Sequence, residues 1–367
     1  MPESVYLTEA RAVWDRIKAL SAPDTLVFPI FTDPHLYTLT EPSAEALYKA
    51  MEALSSVLTA DGILALGDNL GMLGRDFHTS HEEIAALITG LFDRIAPLWP
   101  CPLYAVNGNH DGYGTDFFLP EFWYSIAGTK YDRDTACRPG HAGYYYTDFP
   151  KAETRLVFLS LPSGSDLEAE MPTPLWKYGD DQLRWLAETA LDTPYRVLLI
   201  AHVPLYYMHH QNMTDTLGVW TDTRAADSLI AALCGWIEDR DTAEEIFRAF
   251  EAHEPIRIPE LGLDIPKRDY TRGLVACLSG HMHFDDFWLP WEERIEEESR
   301  DGRRNPLPCV QTVTCSTSAN KVRKLTDEKG LGVYMDIAVL TPSRRELTLV
   351  RYGSGTDRTV PWPEATK

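Results

Sequence analysis

The sequence predicts an α/β protein in which helices cover both faces of a sheet. Short apolar runs with the length of buried strands recur along the first third of the chain, at 25–31, 62–66 and 102–106. Segments with helical spacing of apolar residues alternate with these runs, at 5–20, 43–58 and 80–96. Strands that are apolar at nearly every position and alternate with helices are typical of a sheet that is buried on both faces.

These elements have local causes in the sequence. In the first helix, Val13, Ile17 and Leu20 recur at helical spacing, which places them on one face. The third helix begins with a capping box, in which the side chains of Ser80 and Glu83 each accept a hydrogen bond from the other residue's backbone N–H. Each of the three strands ends where the apolar run meets a polar segment.

The remaining part of the chain continues the alternation and then changes character. The predicted elements are a hairpin from 144–146 and 155–159, a helix at 180–191, strands at 196–200 and 273–278, and antiparallel strands within 308–351. Residues 206–270 contain two helical patterns, at 224–237 and 242–252, followed by a proline-bearing tail. Because no repeat, low-complexity segment or linker divides the chain, we interpret 206–270 as an inserted cap within a single domain of residues 1–367.

Composition and charge argue against several classes of protein. The formal net charge is −21, which disfavours a broad cationic surface for duplex nucleic acid. The chain has no apolar run of about 18 residues that could span a membrane, and its first residues lack the pattern of a secretory signal. We therefore expect a cytoplasmic protein that does not bind membranes, and the sequence makes no prediction of its oligomeric state. Six cysteines without a CxxC motif give no support to a disulfide framework or a zinc–cysteine site.

Residues that can bind a metal follow five of the predicted strands. They are Asp33, His35, Asp68, Asn109, His110, His202, His281 and His283. In an extended segment, residues i and i+2 point to the same side, so Asp33 with His35 can present two ligands in one direction, as can His281 with His283. Carboxylate oxygen and imidazole nitrogen without thiolate favour manganese, iron or zinc over calcium. One such residue is more often a cap, but five strand ends together predict a shared metal site.

The order Asp-x-His, Gly-Asp, Gly-Asn-His-Asp, His and Gly-His-x-His resembles the calcineurin-like metallophosphoesterase superfamily over about residues 25–290. The resemblance implies a four-layer αββα sandwich of two mixed sheets flanked by helices, with a helical insertion and with the antiparallel tail in the second sheet. It also implies a centre of two metal ions. Asp33, His35 and His283 would hold one ion, Asn109, His202 and His281 the other, and Asp68 would bridge both.

The activity that this resemblance implies is hydrolysis of a phosphodiester or a small phosphomonoester. A hydroxide bridging the two metal ions would attack phosphorus, and His110 would act as the general acid on the leaving oxygen. Members of the superfamily often carry a second Asp in the Gly-Asp motif that orients the catalytic His, and here that position is Gly71. We therefore expect Asp111 or Asp76 to orient His110.

Other residues are candidates for contacts with the substrate. His209 and His210 follow the His202 loop, and Tyr37 and Tyr113 follow ligand motifs, although exposed loop positions or core packing explain these four residues equally well. Two further interpretations of the function stay open. One is a phosphoprotein phosphatase, and the other is a non-catalytic metal-binding or protein-binding module on the same fold. The complete ligand set together with His110 argues against the second.

Overall fold

Two mixed sheets lie at the centre of the protein. The computed structural model describes residues 4–71, 80–108, 110–111, 120–160, 178–202, 237–268, 273–280, 286–288, 309–311 and 327–362. Within these residues each of the two sheets has six strands. Both sheets combine parallel and antiparallel pairs, which confirms the predicted mixed α/β architecture.

The first sheet is built from both ends of the chain. Its spatial order is β14 (Arg358–Pro361), β13 (Glu346–Tyr352), β12 (Met335–Thr341), β1 (Leu26–Phe31), β2 (Ile63–Ala65) and β3 (Leu103–Ala105). Strands β1, β2 and β3 are parallel, whereas β12, β13 and β14 are antiparallel to their neighbours. The expectation that the antiparallel tail belongs to the second sheet is therefore wrong for β12 and β13, because β12 pairs with β1 and β13 with β12.

The second sheet comes from the middle of the chain. Its spatial order is β10 (Asp286–Trp288), β11 (Cys309–Gln311), β9 (Leu274–Ser279), β6 (Arg196–Ile200), β5 (Thr154–Phe158) and β4 (Tyr145–Phe149). Strands β5, β6, β9 and β11 are parallel, and β4 and β10 are antiparallel to their neighbours. Strand β11 thus differs from the antiparallel arrangement predicted for this part of the chain.

Helices flank the two sheets. The described helices are α1 (Val5–Leu20), α2 (Pro42–Ser55), α3 (His81–Ile95), α4 (Pro120–Ala127), α5 (Thr129–Asp132), α6 (Asp180–Trp185, continued by a π-helical turn) and α7 (Ile237–Glu251). The predicted capping box of α3 is present, with Glu83 N–H donating to Ser80 Oγ over 3.2 Å and Ser80 N–H donating to Glu83 Oε2 over 3.0 Å. A membrane-spanning helix is not found among the described elements, since none combines sufficient length with sufficient apolar character.

Three apolar clusters arrange these elements in four layers. Between the sheets, Phe28 of β1 packs in one cluster with Phe158 of β5 and Leu198 of β6. Alternate residues of the same strands point outward, because successive side chains of a strand lie on opposite faces. Val27 joins the cluster that contains α1, α2 and α3, and Val197 joins the cluster that contains α6 and α7. This layering is the αββα sandwich that the resemblance implies.

The described part of the segment 206–270 packs on the outer face of the second sheet. Helix α7 begins at Ile237, where the sequence pattern predicted a start near 242. The proline-bearing tail that follows contains β7 (Ile256–Ile258) and β8 (Leu263–Ile265), which form an antiparallel hairpin. Apolar residues of this hairpin join the cluster of α6 and α7. The first helical pattern of the segment, at 224–237, falls almost wholly outside the described residues.

A tyrosine hydroxyl links the two sheets at the edge of the first. In the described sheet, β3 pairs with β2 on one side only, so the backbone groups of its other side need different partners. Ala105 N–H donates to the hydroxyl of Tyr145 over 2.9 Å, and this hydroxyl donates back to the Ala105 carbonyl over 3.0 Å. A side chain of β4 thus replaces part of a missing neighbouring strand.

We expect Tyr145→Phe to lower the free energy of unfolding by about 2 kcal/mol, because it leaves a buried N–H and a buried carbonyl of Ala105 unsatisfied. Urea unfolding followed by tryptophan fluorescence measures this change. Tyr48→Phe is the matched control, since the Tyr48 hydroxyl makes no hydrogen bond to another described residue. Equal stability of the two variants would contradict the proposed role of the hydroxyl.

Candidate metal centre

The loops that follow strands of both sheets meet at one end of the sandwich. Asp33 and His35 follow β1, Asp68 follows β2, His110 follows β3, and His202 follows β6 of the other sheet. Backbone hydrogen bonds hold the first two loops together, because Asp33 N–H donates to the Gly67 carbonyl over 2.9 Å and His35 N–H donates to the Asp68 carbonyl over 3.2 Å. The carboxyl ends of parallel strands thus converge, as in other α/β sites.

Asp68 lies at the centre of this group, and its carboxylate is buried. Its Oδ1 atom is 3.2 Å from His202 Nε2, and its Oδ2 atom is 3.7 Å from His35 Nε2 and 3.8 Å from His110 Nε2. Oδ1 also accepts the backbone N–H of His110 over 2.7 Å. The two carboxylate oxygens therefore face histidines of three different loops.

Backbone carbonyl groups orient two of the histidines. His202 Nδ1 is 2.7 Å from the Leu66 carbonyl oxygen, and His35 Nδ1 is 3.2 Å from the Leu70 carbonyl oxygen. A carbonyl oxygen only accepts, so Nδ1 carries the proton in both rings. Each ring then turns Nε2 toward the carboxylate of Asp68. A hydrogen bond from the remote ring nitrogen is the usual support of a metal-binding histidine.

The backbone of this site departs from the extended geometry that the sequence suggested. Asp33, His35 and Asp68 have φ angles of 50°, 47° and 51°, in the left-handed region that non-glycine residues seldom adopt. The expectation of an extended pair at positions i and i+2 is therefore wrong for Asp33 and His35. Their side chains nevertheless converge, with His35 Nε2 3.8 Å from Asp33 Oδ1. Strained residues of this kind cluster at functional sites, where surrounding contacts maintain them.

Two glycines of the motifs permit the close approach of the loops. A Cβ atom on Gly108 would clash with the amide nitrogen and Oδ1 of Asp68. A Cβ atom on Gly280 would clash with Thr32 Oγ1 and lie 2.5 Å from Asp33 Oδ2. Any larger residue at either position would push a carboxylate out of the site.

Thr32 is a further member of the site that the pattern of strand-end residues does not indicate. Its buried hydroxyl donates to Asp33 Oδ2 over 2.6 Å. The bond leaves Oδ1 of the same carboxylate facing His35. In the sequence, a threonine directly before a strand-end Asp is the local signal that could have identified Thr32.

The described donors suit metal ions. Asp33, Asp68 and His202 form one group, and His35, Asp68 and His110 form another; within each group the candidate ligand atoms all lie within 4.8 Å of one another. Asp68 belongs to both groups, but Asp33 is grouped with His202 and His35 with His110, which differs from the predicted division of the ligands between two ions. Carboxylate oxygens with imidazole nitrogens fit manganese, iron or zinc.

The other predicted site residues lie outside the described part of the chain. These residues are Asn109, Tyr113, His209, His210, His281 and His283, together with Asp76. Their roles stay predictions.

Burial and charge set the protonation of the centre. Burial would raise the pKa of the Asp68 carboxyl, but the charges of His202, His110 and His35 hold that pKa well below its usual range. Burial also opposes a charge on His202, yet the Asp68 carboxylate raises the pKa of His202 to about 9. Without metal, Asp68 and His202 therefore form a buried ion pair at neutral pH.

Asp111 joins the loops after β2 and β3, in a role that differs from the expected one. Its carboxylate accepts hydrogen bonds from Asn69 N–H at 2.8 Å, Asn69 Nδ2 at 3.0 Å, Leu70 N–H at 3.2 Å and Gly108 N–H at 2.8 Å. Asp111 therefore fixes the loops and does not orient the ring of His110. That ring instead lies edge-on to His35, with centroids 4.7 Å apart and planes at 90°.

Comparison with known proteins agrees with this architecture. Residues 27–285 match the model of the calcineurin-like phosphoesterase family. A dimetal phosphatase from Danio rerio has a similar structure, with 12% identity and a TM-score of 0.55, covering 92% of this chain and 99% of the other. A purple acid phosphatase from seeds of yellow lupin, Lupinus luteus, has 12% identity and a TM-score of 0.48, and the match covers 93% of this chain but only 55% of the lupin chain. No curated protein sequence matches significantly.

The family match extends over most of the chain and contains the converging strand ends. The chain belongs to the calcineurin-like phosphoesterase family. It is therefore a metal-dependent hydrolase of phosphoester bonds, with two metal ions as its cofactors.

We expect Asp111→Ala to lower the free energy of unfolding by about 3 kcal/mol, because buried N–H groups of Asn69, Leu70 and Gly108 lose their hydrogen-bond acceptor. The midpoint of urea unfolding, measured on metal-free protein, tests this expectation. Asp264→Ala is the control, because the Asp264 side chain is 82% exposed. If both variants lose the same small amount of stability, the carboxylate of Asp111 does not hold the loops.

Proposed function

We propose that the protein hydrolyses a small phosphodiester or phosphomonoester at this centre. The proposed ligands of the two metal ions are Asp33, His35, Asp68, Asn109, His202, His281 and His283, and the proposed general acid is His110. The observation that carries the proposal is the buried Asp68 carboxylate, whose two oxygens face His202 on one side and His35 and His110 on the other. A lone structural carboxylate would not need three imidazole rings around it.

The protein residues have separate tasks in this mechanism. Cations held by these residues would supply an activated water and positive charge beside the phosphoryl oxygens. Asp68 supplies the shared negative charge that lets two cations lie close together. The carbonyl groups of Leu66 and Leu70 keep His202 and His35 in the tautomer with a free Nε2 lone pair. Preorganised ligands of this kind need no rearrangement during the reaction.

The surroundings of His110 support its proposed role as the general acid. Its side chain is 22% exposed, compared with 10% for His35 and 0% for His202. It is thus the most accessible of the three histidines that face Asp68, and the Asp68 carboxylate lies 3.8 Å from its Nε2 atom. Contact with His35 fixes the ring from one side. In this place His110 can donate a proton to the oxygen that leaves phosphorus.

Charge and chain organisation support a small substrate. The net charge of −21 disfavours a polyanionic duplex, while bound cations supply the local positive charge for a phosphate ester. We also propose that the chain is one domain and that residues 206–270 are an insertion that forms one wall of the site. His209 and His210 in that segment, and Tyr113 after the third strand, are proposed contacts of the substrate.

Metal-stripped protein supplied with manganese should hydrolyse 4-nitrophenyl esters of phosphate, and the ratio of diester to monoester turnover identifies the preferred class. We expect Asp68→Asn to lower kcat by about a thousandfold or more, because the shared charge between the cations is lost.

We expect His110→Ala to lower kcat by about a hundredfold for alkyl esters but much less for 4-nitrophenyl esters, whose leaving group needs no proton.

The control for both changes is His141→Ala, a histidine that stacks on Tyr124 and belongs to neither group of candidate ligand atoms. Circular dichroism verifies that the variants are folded. Unchanged turnover of Asp68→Asn would contradict the mechanism. An equal loss on both kinds of leaving group would remove His110 from the role of general acid without affecting the metal ligands.

Metal binding should release protons in a way that depends on His202. Because Asp68 raises the pKa of His202 to about 9, the imidazolium predominates in the metal-free protein below that pH, whereas a metal ligand must be neutral. We therefore expect manganese affinity to rise with pH up to about 9. Titration calorimetry in two buffers of different ionisation enthalpy counts the protons, and His202→Asn should release about one fewer. An identical proton count would show that His202 binds no metal.

A further inference from the structure

The ring of Tyr37 occupies the space beside Gly71. A Cβ atom on Gly71 would lie 2.7 Å from Cζ, 2.8 Å from Cε1 and 2.9 Å from Cε2 of Tyr37. Real side chains do not approach a ring so closely, so a residue larger than glycine at position 71 would displace Tyr37. The ring of Tyr37 therefore explains why position 71 is a glycine in this chain.

Hydrogen bonds hold the base of this ring at the rim of the metal centre. Tyr37 comes two residues after His35, and Leu36 forms a parallel bridge with Leu70. Gly71 N–H donates to the Leu36 carbonyl over 2.9 Å. The backbone N–H of Tyr37 donates to Glu41 Oε1 over 3.1 Å. The backbone at Tyr37 is therefore connected to the same loop that carries Asp68.

Tyr37 is half exposed in spite of this fixed position. Among the described residues, the exposed large apolar or aromatic side chains are Val5, at 55%, and Tyr37, at 50%. Val5 begins helix α1, whereas Tyr37 lies beside His35. The Tyr37 hydroxyl makes no hydrogen bond to another described residue. Neither burial nor hydrogen bonding within the described structure explains a tyrosine at this position.

We propose that Tyr37 binds the organic group of the substrate by packing its ring against a flat aromatic group of the phosphoester. The inference rests on the proposed function, in which the metal centre holds the phosphoryl group. An ester bound there extends its organic part across the rim, where Tyr37 offers an exposed aromatic face on a fixed base. Aromatic rings attract each other in offset or edge-to-face geometry. The substrate class is therefore a phosphoester whose ester group carries a planar ring.

The test compares an ester that carries such a ring with a primary alkyl ester that lacks one. They are 2-phenylethyl phosphate and butyl phosphate, or their methyl diesters if the enzyme prefers diesters; both release a primary alcohol. In the manganese-loaded enzyme, we expect Tyr37→Leu to lower kcat/KM for the phenylethyl ester about tenfold, mainly through KM. The butyl ester should change by less than about twofold, and Tyr37→Phe should retain both activities because it keeps the ring.

The matched control is Tyr195→Leu, which makes the same substitution just before β6, at the strand end opposite His202. It should leave the ratio of the two kcat/KM values unchanged. An equal effect of Tyr37→Leu on both esters, or no effect on either, would overturn the role of Tyr37 while leaving the proposed function intact. If the unmodified enzyme hydrolyses neither ester nor the 4-nitrophenyl esters, the proposed function fails, and this inference fails with it.

Discussion

The structure depends on one buried carboxylate, that of Asp68, at the junction of the two sheets. Removing a carboxylate from water is costly, and only close positive or hydrogen-bonding groups offset this cost. His202 from the second sheet and His35 and His110 from the first supply them. Gly108 permits the approach of one loop, because any Cβ atom there would displace Asp68. The need to stabilise the buried charge of Asp68 thus explains why the surrounding loops carry histidines and a glycine.

Because the loops must hold these groups close to Asp68, many hydrogen bonds and neighbouring strands fix their positions. Three of the loop residues have left-handed backbone angles, and such angles persist only where other contacts maintain them. The Asp111 carboxylate supplies four hydrogen bonds between the loops after β2 and β3. Behind the loops, strand β1 lies between β12 and β2, so both ends of the chain support it. Rigid strands that hold a strained polar centre are a common design of active sites.

The metal centre and the rim of the site have different consequences for function. The centre contains the groups that hydrolysis of any phosphoester requires. It therefore defines the reaction but does not select the organic part of the substrate. The rim contains Tyr37, whose ring excludes a side chain at position 71. Members of the superfamily often have an Asp at that position that orients the catalytic histidine. Among the described residues, the ring of His35 lies edge-on to His110, and Asp68 Oδ2 lies 3.8 Å from His110 Nε2.

The sequence by itself determined the type and order of most described elements and the strand-end positions of the candidate ligands. Local causes suffice for these features, because helical spacing, the capping box at Ser80 and apolar strand runs act over a few residues. Only the tertiary structure decided that the antiparallel tail pairs with β1, that β11 lies parallel to β9, and that Asp111 binds backbone amides. It also decided the left-handed backbone of Asp33 and His35. These features depend on contacts between distant segments, and no local pattern of residues encodes which segments will meet.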